Sequence, residues 1–379
     1  MVYAASATIT PICLVVLARE MHFGLGAAGS LELARSFLTV GTLLVSGLLA
    51  ARLGKVRSLA VSCWLLGVGL AFYAVAPSYG WVVLALLLLG GAGGVLEALI
   101  NPLVQETHPR DSGKFLSFVN AFWSLGVLLT MIAGGELLSA EVSWRWLVGG
   151  LAVFSILAGI GYAVLIGQDP GRKDVSIAEA IADKTRVLRA PGFWFFFVMM
   201  ILAGAAEGAL TFWSAALIQL RFESLPREGG WGAAMFAMGM IVGRLAGARW
   251  MSQRRIYRSL VGSVLIGAIL TFVLPWVGSL SWFFVLLLLI GVGIACLWPG
   301  LQSYAVDRLQ LEPTALFILL SCGGIPGFAL ASALIGWIGD WVGLTFGFLV
   351  IPISLLVLFG MLKVERKASW LPSTRMPEA

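Results

Sequence analysis

Residues 81–105 read WVVLALLLLGGAGGVLEALINPLVQ, an apolar run interrupted by a single charge, Glu97. About 20 predominantly apolar residues suffice for a helix to cross the roughly 30 Å of hydrocarbon in a bilayer. Such a run does not suit the surface of a water-soluble domain, and the rest of the chain resembles it. Of 379 residues, 60% are hydrophobic and 12% are charged, against about 45–50% and about 25% in an average globular chain. So few charges could not cover the outside of a soluble fold of this size. With lipid as the solvent, no such cover is needed.

Working outward from that run, twelve apolar stretches of spanning length emerge, at about 2–19, 30–50, 58–76, 81–104, 114–138, 144–167, 192–220, 230–249, 258–278, 281–305, 313–338 and 341–363. The predicted fold is all-α and membrane-embedded, with short connections at 77–80 and 277–280 that imply helical hairpins. The longest polar stretch divides the spans six and six. The expected organisation is an N-terminal bundle over 1–167, a linker over 168–191, a C-terminal bundle over 192–363 and a tail over 364–379. Within the linker, Ser176 and Glu179 form a capping-box pattern ahead of Ile177, Ile181 and Leu188, which predicts a short amphipathic helix on the cytoplasmic face. The first run continues from Val2 to Ala18 without a small-residue cleavage pattern, so it reads as a span and not as a leader.

The basic residues set the orientation. With both termini inside, 19 Lys and Arg fall in cytoplasmic segments and 4 outside (Arg19, Arg145, Arg221, Arg227). Arg35 and Arg244 lie within spans, and 19 + 4 + 2 accounts for all 25. The net charge of +6 therefore reflects topology. No aromatic-basic face or zinc spacing accompanies it, which argues against nucleic acid. Trp81, Trp144, Trp146, Trp231, Trp276, Trp282 and Trp341 stand near span ends, where interfacial anchors belong. Cys13, Cys63, Cys296 and Cys322 all fall inside apolar runs and read as small packing residues. His22 and His108 lie in loops with no nucleophile or ligand partner. No metal and no cofactor is expected. A membrane-embedded transferase would need a convergent acid, base or metal cluster, which the loops do not offer.

The two halves echo each other. Arg57-Ser58-Leu59 with Ser62 opens span three, and Arg258-Ser259-Leu260 with Ser263 opens span nine. Gly94, Pro102 and Gln105 in span four recur at the same spacing as Gly291, Pro299 and Gln302 in span ten. Duplicated bundles with a site between them are a transporter design.

An ionisable group in hydrocarbon costs about 2.5–3.5 kcal/mol on insertion scales, so each one needs a reason. Glu97 shares a helical face with Asn101 and Gln105, and Gly90, Gly91, Gly93 and Gly94 before it allow close approach. It reads as a protonatable carboxyl lining a polar cavity, or else as an acid bonded to a neighbouring helix. Glu207 shares a face with Thr211 and Ser214 in span seven and carries the same two readings. Burial favours the neutral form of a carboxyl, which suits a group that must change charge as it meets two aqueous phases. Glu32 and Arg35 stand three apart near the outer end of span two, either as an ion pair in the headgroup zone or with Arg35 as an outer gate or substrate contact. Glu136 reads as interfacial. Two aromatic-amide pairs, Asn120 with Trp123 and Trp298 with Gln302, suit a sugar, whose C–H face stacks on an indole while its hydroxyls bond an amide. Ordinary helix packing is the alternative for both pairs.

Gly47-Leu-Leu-Ala-Ala51-Arg52-Leu-Gly54-Lys55, between spans two and three, resembles the loop signature of the major facilitator superfamily. Gly243-Arg244-Leu-Ala-Gly247 looks like its second-half counterpart. The stretch into Glu97, Asn101 and Pro102 is similar to span four of the fucose and glucose/galactose proton symporters. So are Gly204 to Glu207 with Trp213, Trp298-Pro299, and Gly323-Gly324-Ile-Pro326 through Asp340. The resemblance implies alternating access by two six-helix bundles, with sugar and proton moving inward together. It makes Glu97 the proton-linked or sugar-contacting acid. Two departures bear on mechanism. The acidic position of the loop signature is Ala51, and span one has Thr10 and Pro11 where fucose permeases carry an acid. Coupling then shifts to Glu207 or is lost, leaving a facilitator. The expected protein is a monomeric, proton-coupled sugar importer of a bacterial inner membrane, with an exporter of drugs or lipids as the main rival.

Overall fold

The computed structural model describes residues 1–107, 112–168, 184–250 and 255–367, apart from the side chains at 51, 105–106, 112–118, 120–121, 168, 248–250 and 313–314. The expected linker helix around Ser176, Ile177, Glu179 and Ile181, His108, most of the tail and the side chains of Gln105 and Asn120 lie outside the described residues.

In lipid every backbone N–H and C=O must be satisfied within its own segment, so an apolar run has no option but helix. The spans are Val2–Met21, Leu25–Leu53, Lys55–Ala74, Tyr79–Thr107, Ser112–Ser139, Trp144–Val164, Phe193–Arg221, Pro226–Trp250 and Ile256–Val273. A broken tenth follows, made of Leu280–Ile294 and Leu297–Leu309. Pro313–Val342 is the eleventh, and Leu344–Gly347 with Val350–Lys367 forms the twelfth. Among the described residues eleven of these are long and apolar enough to cross a membrane. The exception, span eight, carries Arg227, Glu228, Arg244 and Arg249, and it lies between spans five, seven and ten. Protein neighbours take the place of lipid there.

Span two begins at Leu25, earlier than expected, and span eleven runs on to Val342. Both extensions meet at one contact, where the Asp340 carboxylate accepts the backbone N–H groups of Leu25 and Gly26 at 2.8 Å each. Spans two and three separate at Gly54, whose φ of 87° only glycine adopts without strain. The break in span ten has a cause four residues downstream. Pro299 has no N–H to give the Ala295 carbonyl and its ring crowds that oxygen, so the helix stops at Ile294 and restarts at Leu297.

The sequence repeat reappears as matching contacts. A Cβ on Gly94 would lie 2.3 Å from the Thr39 carbonyl of span two, and one on Gly291 would lie 2.3 Å from the Phe236 carbonyl of span eight. Spans two and eight are the second members of their bundles, so the repeat encodes the same helix pairing twice. Gly90 is tighter still, with its Cβ position 2.0 Å from the Arg35 carbonyl. Backbone cannot rotate away as a side chain can. Gly90→Val should therefore cost roughly 1–3 kcal/mol, the usual range for overpacking, and show as a lowered unfolding temperature in detergent.

The bundles meet along two seams, span two on span eleven and span five on span eight. Both are tight at the end bearing the 22–24 and 222–225 connections. Serine hydroxyl Ser139 Oγ accepts the Arg227 N–H at 2.8 Å, and Glu136 accepts the Trp231 indole N–H at 2.9 Å. Down the first seam the last such contact is Arg35 with the Phe328 ring, 6.0 Å to its centre. Below it span two leaves span eleven. Gly41 and Gly47 have nothing within 4 Å of their Cβ positions, and Leu44, Val45 and Leu48 are exposed. The molecule is sealed at one end and parted toward the end that carries the loop between spans two and three.

Of the seven tryptophans expected near span ends, Trp81, Trp146, Trp231, Trp276, Trp282 and Trp341 are exposed and Trp144 is not. That side chain is 1% exposed and gives its indole N–H to Glu20 at 2.6 Å. Glu20 itself is exposed at the end of span one and also pairs with Arg145, so the indole is covered while its hydrogen-bond partner stays at the surface.

Candidate functional site

Glu97 sits 18 residues into span four, below the level at which spans two and eleven part. Residues 92–96, 98 and 99 are buried, yet the Glu97 side chain is exposed. Its electrostatic neighbours are Tyr3 of span one and Arg35 of span two, so it stands on the side of span four that looks toward those helices. Gly93 lets the Tyr3 ring of span one approach, its own Cβ position being 2.5 Å from Tyr3. Tyr3 in turn meets Trp123 of span five edge-on, with ring centres 4.9 Å apart.

Arg35 belongs to an ion pair. Nε of Arg35 donates to both Glu32 oxygens, at 2.9 and 3.0 Å, and Nη2 also bonds Oε1. The Arg35 charge also acts on the Tyr3 hydroxyl and on Glu97. The expectation of a pair in the headgroup zone needs correction. Glu32 and Arg35 are 3% and 8% exposed, because span four presses on one side and span eleven on the other. The pair lies at the inner limit of the seal, where Arg35 meets the Phe328 ring. A guanidinium that cannot be deprotonated is thus fixed beside an acid that water can reach.

A second charged centre joins spans five, seven, eight and ten. Arg244 donates to Glu207 at 2.8 Å, to Ser124 across the seam at 3.4 Å, and to the Ala295 carbonyl at 3.5 Å. That carbonyl is the one Pro299 left without its helical partner, so the break in span ten and the arginine in span eight satisfy each other. Arg244, the second-half counterpart of the loop signature, lies within span eight as expected, and what the sequence did not show is its pairing with Glu207. The other signature residues, Gly47, Arg52, Gly54 and Lys55, lie at the junction of spans two and three.

The expected sugar contacts do not gather on one cleft. Trp213 is 0% exposed and spends its indole N–H on the Ser332 carbonyl at 3.0 Å. Thr211 bonds the Glu207 carbonyl of its own helix at 2.9 Å. The Trp298 ring lies 2.3 Å from where a Gly324 Cβ would be, and Gln302 donates to Ser321 at 3.1 Å. These four are engaged within the C-terminal bundle, mostly against span eleven. Periodicity puts Trp298 and Gln302 on one face, but that face packs on span eleven. Asn101 is half-buried one turn beyond Glu97. Trp123 alone among the expected aromatics stands with the acid. Tyr3 and Ser124 were missed. Tyr3 shares a helical face with Ser6 and Thr10, but a tyrosine at the start of a span reads as an interfacial residue, and the glycine at 93 that admits its ring gives no sign of doing so in the sequence.

Two like-built helical bundles around a water-reachable acid define a membrane carrier rather than an enzyme. The sequence profile of the Major Facilitator Superfamily matches residues 1–329, and the chain belongs to that family. It is 23% identical over 342 residues to an uncharacterised transporter of the same type from Yersinia pestis, covering 89% of this chain and 86% of that one. Its fold is similar to that of a bacterial homologue of the human lysosomal transporter Spinster in an inward-facing, occupied conformation (TM-score 0.74, 12% identity, 97% and 94% of the chains). It is also similar to the Escherichia coli fucose:proton symporter (TM-score 0.63, 17% identity, 96% and 95% of the chains).

Proposed function

We propose that this transporter couples the entry of a small hydroxylated solute, a sugar or a close analogue, to protonation of Glu97, by alternating access. The observation that supports this most is the water-reachable Glu97 carboxyl set against Tyr3, Arg35 and Glu32, with Trp123 on the Tyr3 ring. The acid takes its proton from whichever side the cleft faces. The aromatic pair offers a flat surface for a sugar ring, and fold similarity to a fucose:proton symporter points the same way. In this reading Glu207 is not the coupling group, because its carboxylate is spent on Arg244. In this reading the open end faces the cytoplasm, which the distribution of basic residues supports, the membrane is a bacterial inner membrane, and the chain acts as a monomer.

The test is uptake into proteoliposomes across a panel of sugars and amphiphiles, with and without an imposed pH gradient. Sugar accumulation that requires the gradient supports the reading. Extrusion of amphiphiles, or sugar flux indifferent to the gradient, removes the cargo or the coupling respectively. Trp123→Ala should raise the half-saturation concentration about tenfold, since an aromatic contact is worth roughly 0.5–1.5 kcal/mol beyond its buried area. An unchanged value clears Trp123 of substrate contact.

A further inference from the structure

Both seams carry the same pattern at the sealed end. In the first, a Cβ on Gly29 of span two would lie 2.2 Å from the Ser332 carbonyl, and one on Gly336 of span eleven 2.2 Å from the Leu25 carbonyl. In the second, a Cβ on Gly230 of span eight would lie 2.3 Å from the Met131 carbonyl, and one on Gly135 of span five 2.9 Å from the Pro226 carbonyl. Each glycine and its opposing carbonyl are four residues apart on their helices, in both seams. One further turn along span eleven is Asp340, and one further turn along span five is Ser139. Asp340 accepts the N–H groups of Leu25 and Gly26, while Ser139 accepts that of Arg227. Leu25 corresponds to Pro226 and Gly26 to Arg227.

The two caps differ in chemistry for a reason the sequence supplies. The first turn of a helix exposes N–H groups that have no partner in their own helix. Span two offers two of them to span eleven, and a carboxylate has oxygens for both. Span eight opens with Pro226, which has no N–H, and one donor remains for a single hydroxyl oxygen. A backbone N–H at a helix start gains from an acidic partner beyond the hydrogen bond itself, so the span-eleven cap is the stronger.

We infer that Asp340 and Ser139 are gating residues of the transport cycle, a pair of symmetry-related helix caps exchanged between the bundles that hold the outer face shut and must let go together when it opens. Glycine lets the backbones approach until a cap can reach. The cap then makes the closed seam directional, since it exists only while the end of one helix faces the start of the other. Neither residue touches the cleft, so both act on the balance of states and not on the substrate.

The test uses the full chain in nanodiscs, with its cysteines replaced and spin labels at Val75→Cys and Ser279→Cys. These exposed positions lie in the outer loops of the two bundles. In the parent protein the short inter-label distance should dominate. Asp340→Ala should raise the long-distance population about fivefold, in line with the loss of a helix N-cap. Ser139→Ala should raise it by a smaller factor, and the two together by about the product. Pro226→Ala with Ser139→Asp installs a second two-bond cap and should lower it below the parent value. If Asp340→Ala does not fold, Asp340→Asn, which keeps one acceptor oxygen, should give an intermediate rise. Distance distributions indistinguishable from the parent in folded Asp340 variants would overturn the inference. The measurement needs neither substrate nor pH gradient, so an error in the proposed cargo or coupling leaves it intact.

Discussion

Replacing Glu97 by Gln should abolish accumulation against a gradient while leaving exchange of solute at equal concentrations. The reason lies in where the side chain sits. It is exposed within the cleft and has no ion pair within 4.0 Å among the described residues, so an amide of the same shape can take its place without unfolding its surroundings. What is lost is the one group there that water can reach to protonate. For a carrier moving one proton per solute, each unit of imposed pH difference supports about tenfold accumulation, or 1.36 kcal/mol. The variant should bring that ratio to one, measured as labelled solute retained in proteoliposomes at steady state. Uphill uptake at the parental ratio would take the coupling role from Glu97.

The second large effect is on stability. Glu32→Leu should destabilise the protein by about 3–5 kcal/mol, the cost of stripping one partner from a buried ion pair. The side chains of Arg35 and Glu32 are only 10% and 4% exposed, and arginine cannot neutralise itself by losing a proton. The opposite change, Arg35→Leu, should cost less, because a stranded carboxyl can bind a proton. Removing both with Glu32→Leu and Arg35→Leu should restore much of the loss, since paired apolar replacements of buried ion pairs are often near neutral. Thermal unfolding of the three variants in one detergent decides it. Equal losses in all three would mean that packing, and not charge, governs the site.

Most of the architecture was legible because a bilayer restricts the choices so severely. Length, apolarity and the six-six division located every span, and two short repeats identified equivalent helix pairs before any contact was known. What periodicity could not provide is the identity of the face opposite. Trp298 and Gln302 have the spacing of a cleft pair, yet the Trp298 ring packs on Gly324 and Gln302 bonds Ser321, both in span eleven. Arg35 and Glu32 were assigned to the rim because charge belongs near water, and tertiary contacts from spans four and eleven overrode that rule. Gly135 with Ser139 and Gly336 with Asp340 share a spacing that is visible in the sequence. It carries no meaning until the helices are seen to cross.

The interruption in the tenth span has a mechanical corollary. Its first segment is clasped by span eight, where Gly239 lies against the Leu288 carbonyl. Its second segment is anchored to span twelve, because Glu365 accepts hydrogen bonds from both Tyr304 and Arg308. An intact rod would carry torque from one anchorage to the other. A rod severed at Ala295–Cys296 dissipates it at the joint, so the two ends of this helix are free to tilt on separate schedules.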